Sequence, residues 1–249
     1  MGDRDLQDEV IRYLTDARLR VTTPDALPLP TLEAEKAGRF AMFLARRYYR
    51  DRLQRSFRYS ALFAKQTRRK AEDSVEGDAF AEIARDSVLG SLNAAQRVGQ
   101  MAVTYLTDRD WQSTVPFSNT GAWWKTLLDY EYLHFLQTAT SETAAKTARL
   151  QQGVSAVCNK FEWGMPDLLA RLREGKPADD DLRREATLLF ARTHSGKIYV
   201  MEIDKESEDV FRAVDGDRNL DEIATAAGLG CEDTKRILQS LTEIGAVVW

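Results

Sequence analysis

From Leu32 to about Lys70 the chain has no proline and, Gly38 apart, no glycine, and its apolar residues fall at Phe40, Phe43, Leu44 and Tyr48, then Leu53, Phe57, Leu62 and Phe63. That spacing predicts helix, with an apolar stripe facing a core. Arg39, Arg46, Arg47, Arg50 and Arg58 fall between those positions and predict a cationic outer face. A shorter helix is expected over Asp3 to Arg20, with Val10, Ile11 and Leu14 on one face, stopped by Pro24, Pro28 and Pro30. Two more are expected over Phe80 to Leu89 and Leu92 to Leu106. Another begins near Ala122, after a loop with Pro116, Ser118 and Asn119, and runs through Trp123, Trp124, Leu127, Leu128, Tyr130, Leu133 and Phe135.

Beyond residue 150 the period changes. Thr187–Thr193 and Lys197–Ile203 are rich in β-branched and aromatic residues and flank His194, Ser195 and Gly196, which predicts a hairpin. Both runs carry consecutive apolar residues, Leu188 to Phe190 and Ile198 to Met201, so both faces of the sheet require cover. Asp204 caps an expected helix over Lys205 to Asp215, with Val210, Phe211 and Val214 inward and Gly216 supplying the turn after it. Asn219 caps a second, Leu220 to Ala227, closed by Gly228. A third, Cys231 to Ile244, places Ile237, Leu238, Leu241 and Ile244 on one stripe. Val154 to Cys158 reads as an earlier strand, joined to the hairpin through a short helix around Pro166 to Arg173 and a polar linker, Glu174 to Glu185. The expected fold class is therefore α+β: an all-α domain over 1–150, then a domain of three strands and three helices over 151–249. Three helices cover one face of the sheet, and the other face falls to the N-terminal domain or to a partner.

The charge is divided unevenly. The chain's net −4 comprises 22 basic and 20 acidic side chains over residues 1–152 against 13 and 19 over 153–249, and Lys36 to Lys70 alone holds 12 basic residues and one acid, Asp51. Most charge runs on helices are solvated faces; an acidic protein surface is the next reading and nucleic acid the third. The longest apolar run, Phe40 to Ala45, falls far short of a membrane span, and the N-terminus shows neither a basic region before an apolar stretch nor a myristoylation signal. A cytoplasmic chain with no membrane partner is expected. Two cysteines, Cys158 and Cys231, and two histidines, His134 and His194, are too few for a Cys/His zinc site within the chain. Glu131 and His134 have the Glu-x-x-His spacing of di-metal bundles, but the pattern needs two copies and occurs once. No Gly-rich phosphate loop, nucleophile elbow or nucleophile–histidine pairing stands out, so neither catalytic nor metal-binding residues are assigned.

Val210 to Ala224, with the run Val-Asp-Gly-Asp-Arg-Asn-Leu, and Ile237 to Val247 together resemble the winged-helix fold of PqqD-type RiPP recognition elements. Such modules bind the leader of a ribosomally synthesised precursor peptide. The helical part, with Tyr48 to Leu53 and Leu128 to Glu131, is more weakly similar to partner proteins of multinuclear non-heme iron-dependent oxidative enzymes, and the combination resembles the partner subunits of 3-thiaglutamate biosynthesis. The resemblance implies a non-catalytic subunit without a cofactor of its own, the iron lying in the partner enzyme, and a cysteine of the peptide as the modified residue. It also implies a leader strand added to the edge formed by Ile198, Tyr199, Val200, Met201 and Ile203. Thr234, Lys235, Leu238 and Thr242 would form the groove wall, with Lys235 and Arg236 available to acidic leader residues. Each of these positions equally suits core packing or a solvated helix face, and for Leu238 core packing is favoured. Arg46, Arg47 and Arg50 are the expected docking residues for the enzyme.

A winged helix also suits a DNA-binding regulator, which is the alternative. Glu232 and Asp233 at the start of the third helix, where a recognition helix meets phosphate, argue against nucleic acid, as does the acidic balance of that domain.

Overall fold

The computed structural model describes residues 31–107, 120–141, 149–176 and 178–248, with side chains from residue 38 in the first helix and from 123 in the helix that begins at Thr120. The expected helix over Asp3 to Arg20 and the loop at Pro116 lie outside the described residues. Among those described, the chain is a mixture of helices and small antiparallel sheets. They divide into two compact units, 31–107 with 139–141 and 120–138 with 149–248.

In the first unit, α1 (Thr31–Ser56) is followed by a 3-10 turn (Ser60–Phe63), α2 (Ala64–Thr67), a second 3-10 segment (Ala71–Glu76), α3 (Asp78–Asp86) and α4 (Leu92–Thr107). The buried stripe of α1 is Ala41, Ala45, Tyr49 and Leu53, continued past its end by Phe57. The two alanines keep that face thin, and the Ala71–Glu76 segment packs against both α1 and α4. This corrects the expected stripe: Phe40, Phe43 and Leu62 are 56%, 57% and 51% exposed. The ladder at every fourth residue wins the core, and at about 100° per residue Phe43 points well away from it.

The second unit contains α5 (Thr120–Ala139), β1 (Gln151–Gln152), β2 (Val157–Trp163), α6 (Met165–Arg173), β3 (Arg183–Arg192), β4 (Ile198–Glu202), α7 (Lys205–Ala213), α8 (Leu220–Ala227), α9 (Cys231–Glu243) and β5 (Val247–Val248). Strands β2, β3 and β4 form one antiparallel sheet in that order, and β1 pairs with β5. The first long strand starts at Val157, three residues later than expected, because the Gly153 carbonyl accepts from the Ala156 N–H at 2.9 Å to close a turn, while the Gly153 N–H donates to the Ala246 carbonyl at 2.9 Å.

The three-helix end was legible in its caps. The Asp204 carboxylate accepts from the Ser207 N–H at 2.8 Å, Asn219 and Glu222 form a reciprocal capping box, and Gly228 takes the left-handed conformation that closes α8. Val210, Phe211, Ile223, Leu238 and Leu241 bury together against Leu189 and Ala191 of the sheet. The opposite sheet face is met by α5, where Tyr130 packs edge-on against Phe161 and Phe190 at 6.4 and 5.5 Å. Gln137 Nε2 donates to the Ser155 main-chain carbonyl, and Ser155 Oγ donates to Gln137 Oε1 at 2.8 Å. α5 therefore groups with the sheet, upstream of the boundary expected at residue 150. No helix among the described residues is long and apolar enough to cross a membrane.

Candidate functional site: an open sheet edge

β4 lies at one edge of the sheet and β2 at the other. The Ile203 N–H donates to the Thr187 carbonyl at 3.0 Å, and at the turn Thr193 N–H donates to the Lys197 carbonyl at 2.9 Å. In an antiparallel ladder the bonding side alternates, so Tyr199 and Met201 bond inward and Ile198, Val200 and Glu202 turn their main-chain groups out. The edge thus offers a row of donors and acceptors to an added strand.

The two edges are protected differently. Along β2 the outward positions are Cys158, Lys160 and Glu162, the last two exposed and charged, and the pairing is broken by an irregularity between Phe161 and Trp163. Charges and bulges of this kind oppose strand addition. β4 pairs with β3 without a break, and its residues Ile198, Tyr199 and Val200 are half-buried. Met201 is 43% exposed although its partner Leu189 is fully buried. Tyr199 and Met201 share the sheet face that carries the helices, yet the helical core ends short of them and includes Ile203 only. That leaves an apolar step beside an edge to which no strand among the described residues is added. Its ends are polar: Lys197 Nζ lies 4.5 Å from the Tyr199 ring centre, and Arg184 clamps the Glu202 carboxylate through two bonds of 2.7 and 2.9 Å. That clamp holds the Glu202 carboxyl below its ordinary pKa.

The expected groove wall divides. Ile203 and Leu238 meet in one core, which brings the end of β4 and α9 together. Leu238 is 5% exposed and Thr234 is fully buried, with no hydrogen-bond partner for its Oγ1 among the described residues, so these two pack inward. Thr242 is half-buried, its hydroxyl donating to the Leu238 carbonyl at 2.8 Å. Lys235 is exposed and has no ion pair among the described residues, whereas Arg236 is paired with Asp233 at 2.7 Å. Sequence reasoning missed Lys197 and the Arg184–Glu202 clamp, whose only signal was position at the two ends of the strand.

Elsewhere in this unit a cleft of about 290 Å³ is lined by Gln152, Ala156, Val157, Cys158, Phe211 and Arg212. Burial, then the neighbouring Glu208 carboxylate, pushes the Cys158 thiol up to about 11, so it stays protonated near neutrality and is a poor nucleophile. Glu131 is fully buried and His134 half-buried. No group of three or more His, Cys, Asp or Glu side chains positioned for a metal occurs among the described residues.

In the first unit, Arg47 is exposed, Arg50 is ion-paired with Glu76, and Arg46 is half-buried with its Nε lacking an acceptor among the described residues. No protein-family model matches the chain, and no curated protein matches it.

Proposed function

We propose that the chain is a non-catalytic partner subunit that captures a ribosomally synthesised precursor peptide on the β4 edge and presents it to a separate multinuclear iron-dependent oxidative enzyme for cysteine modification. The observation that carries this reading is the asymmetry of the two edges: β2 is charged and interrupted, and β4 is regular, apolar and open beside Met201. Strand addition uses main-chain hydrogen bonds for affinity and neighbouring side chains for selection. Here Ile198, Val200 and Glu202 supply the main-chain groups, Tyr199 and Met201 the apolar step, and Lys235 a charge for acidic residues of the peptide. Three antiparallel strands, with α6 between the first two, followed by three helices are what the PqqD-like winged-helix resemblance implies, and this order supports that assignment. Arg47 remains available for docking the enzyme, while Arg50 must first leave Glu76.

The test is direct binding of the full chain to short peptides encoded beside its gene, with duplex DNA as competitor at two salt concentrations. Submicromolar peptide affinity, lost in Val200→Pro and weakened in Lys235→Glu, is expected. Tight duplex binding with a steep salt dependence and no peptide binding would instead assign the fold to a DNA-binding regulator.

A further inference from the structure

α1 carries an aromatic pair that its own unit leaves outside. Phe40 and Phe43, one turn apart, are each more than half exposed, and their rings stack at 6.5 Å with an interplanar angle of 23°. Large exposed apolar side chains standing together on a helix mark an interaction surface more often than solitary ones do. Arg39 and Arg47 lie four residues to either side of Phe43, which puts them on the same face. Both are exposed and neither has a carboxylate partner among the described residues. Arg50, one turn further on, is already answered by Glu76. Arg46, on the next turn, is half-buried, and its buried guanidinium Nε has no acceptor among the described residues.

We propose that this face of α1 docks an acidic protein segment whose apolar residues cover Phe40 and Phe43 and whose carboxylates pair with Arg39 and Arg47. The inference rests on the partner-subunit reading for the existence of a protein partner, and adds its chemistry and an aromatic anchor. A second copy of the chain suits the face poorly, because a two-fold contact would oppose arginine to arginine. Nucleic acid suits it poorly as well. Glu76, paired with Arg50, sets a carboxylate where a continuous row of phosphates would run. A peptide places its charges discretely and avoids that point.

The experiment uses the full chain and, as probe, a fluorescent amphipathic peptide of alternating Leu and Glu pairs, followed by anisotropy at low and physiological salt. Phe40→Ser/Phe43→Ser and Arg39→Glu/Arg47→Glu each weaken binding about tenfold, while Lys65→Glu on the separate short helix α2 leaves it unchanged. All four residues are exposed, so unchanged circular dichroism and melting temperature in these variants show that folding is not the cause. Undiminished binding in the phenylalanine variant, with loss in the arginine variant alone, reduces the effect to charge and overturns the proposal. So does preferential binding of a short duplex. Precursor binding is measured on the same proteins. If no precursor binds while the acidic probe still requires the phenylalanines, the peptide-presenting function falls and the docking face stands.

Discussion

At Asn219 a single side chain starts a helix. Its carbonyl accepts from the Glu222 N–H at 3.1 Å while the Glu222 carboxylate accepts from the Asn219 N–H at 2.8 Å, so two amides that α8 would leave unpaired are both satisfied. Asn219→Ala is expected to lower stability by about 1 kcal/mol in denaturant titration. Gly245 is less forgiving. Its φ of +77° is one side chains avoid, and a Cβ there would lie 2.4 Å from the Arg192 carbonyl oxygen. Gly245→Ala should therefore cost more than the cap, about 2–3 kcal/mol. Glu208 is the pH-sensitive residue. It is buried, with Oε1 accepting from Arg212 Nε at 2.9 Å and Oε2 from Thr187 Oγ1 at 3.3 Å. Burial raises its pKa, but the Arg212 bond and the Lys160 and Lys205 charges outweigh it and hold the carboxyl below its ordinary value. Its contribution is complete above the unfolded value of about 4.3 and is lost as pH falls through the lower folded value. Glu208→Gln is expected to lose about 1–2 kcal/mol at neutral pH and to flatten the acid limb of the melting-temperature profile.

The edge strand β4 is governed by alternation. The Val200 N–H points away from β3 and the Met201 N–H points toward it, so proline at these neighbours has opposite consequences. Val200→Pro removes a donor only from an incoming strand, and peptide affinity falls while the melting temperature stays close to that of the parent. Met201→Pro breaks the ladder itself and costs about 2–3 kcal/mol. Equal loss of stability in both variants would show that the outward row is not free. The caps and the hairpin were legible because their signals are local: turn residues, β-branched runs, and Asn or Asp at helix starts. The start of β2 was misplaced because Val154 to Cys158 satisfies strand propensity, while Ala156 bonding back to Gly153 makes a turn there and the tertiary bond from Gly153 to Ala246 anchors it.

Across the molecule, the sheet is a two-sided layer whose second cover comes from α5. Tyr130 against Phe161 and Phe190, with the Gln137–Ser155 exchange, ties 120–138 to the strands. A fragment of residues 116–249 is expected to unfold in one cooperative transition. A fragment of 151–249 exposes the Phe161 and Phe190 face, and should bind a hydrophobic dye or aggregate. Cooperative unfolding of the shorter fragment, without dye binding, would place the necessary cover within 151–249.

The sequence alone determined the hairpin, the helices that follow it and two of their caps, because each depends on residues close along the chain, and composition alone gave the reversal of charge between the two parts and the scarcity of Cys and His. It placed Arg46, Arg47 and Arg50 on one helix and Ile198 to Ile203 in one strand. Tertiary structure decided which apolar residues those elements hide. Ala41 and Ala45, on one ladder with Tyr49 and Leu53, took the core face in place of Phe40 and Phe43, because the two small residues let a neighbouring segment approach closely. Thr234 went inward while Lys235 stayed outside, because α9 turns one stripe to its core and position 235 lies off it. That β2 and β4 became the two edges of the sheet was settled by strand order, a long-range property that no local run of residues encodes.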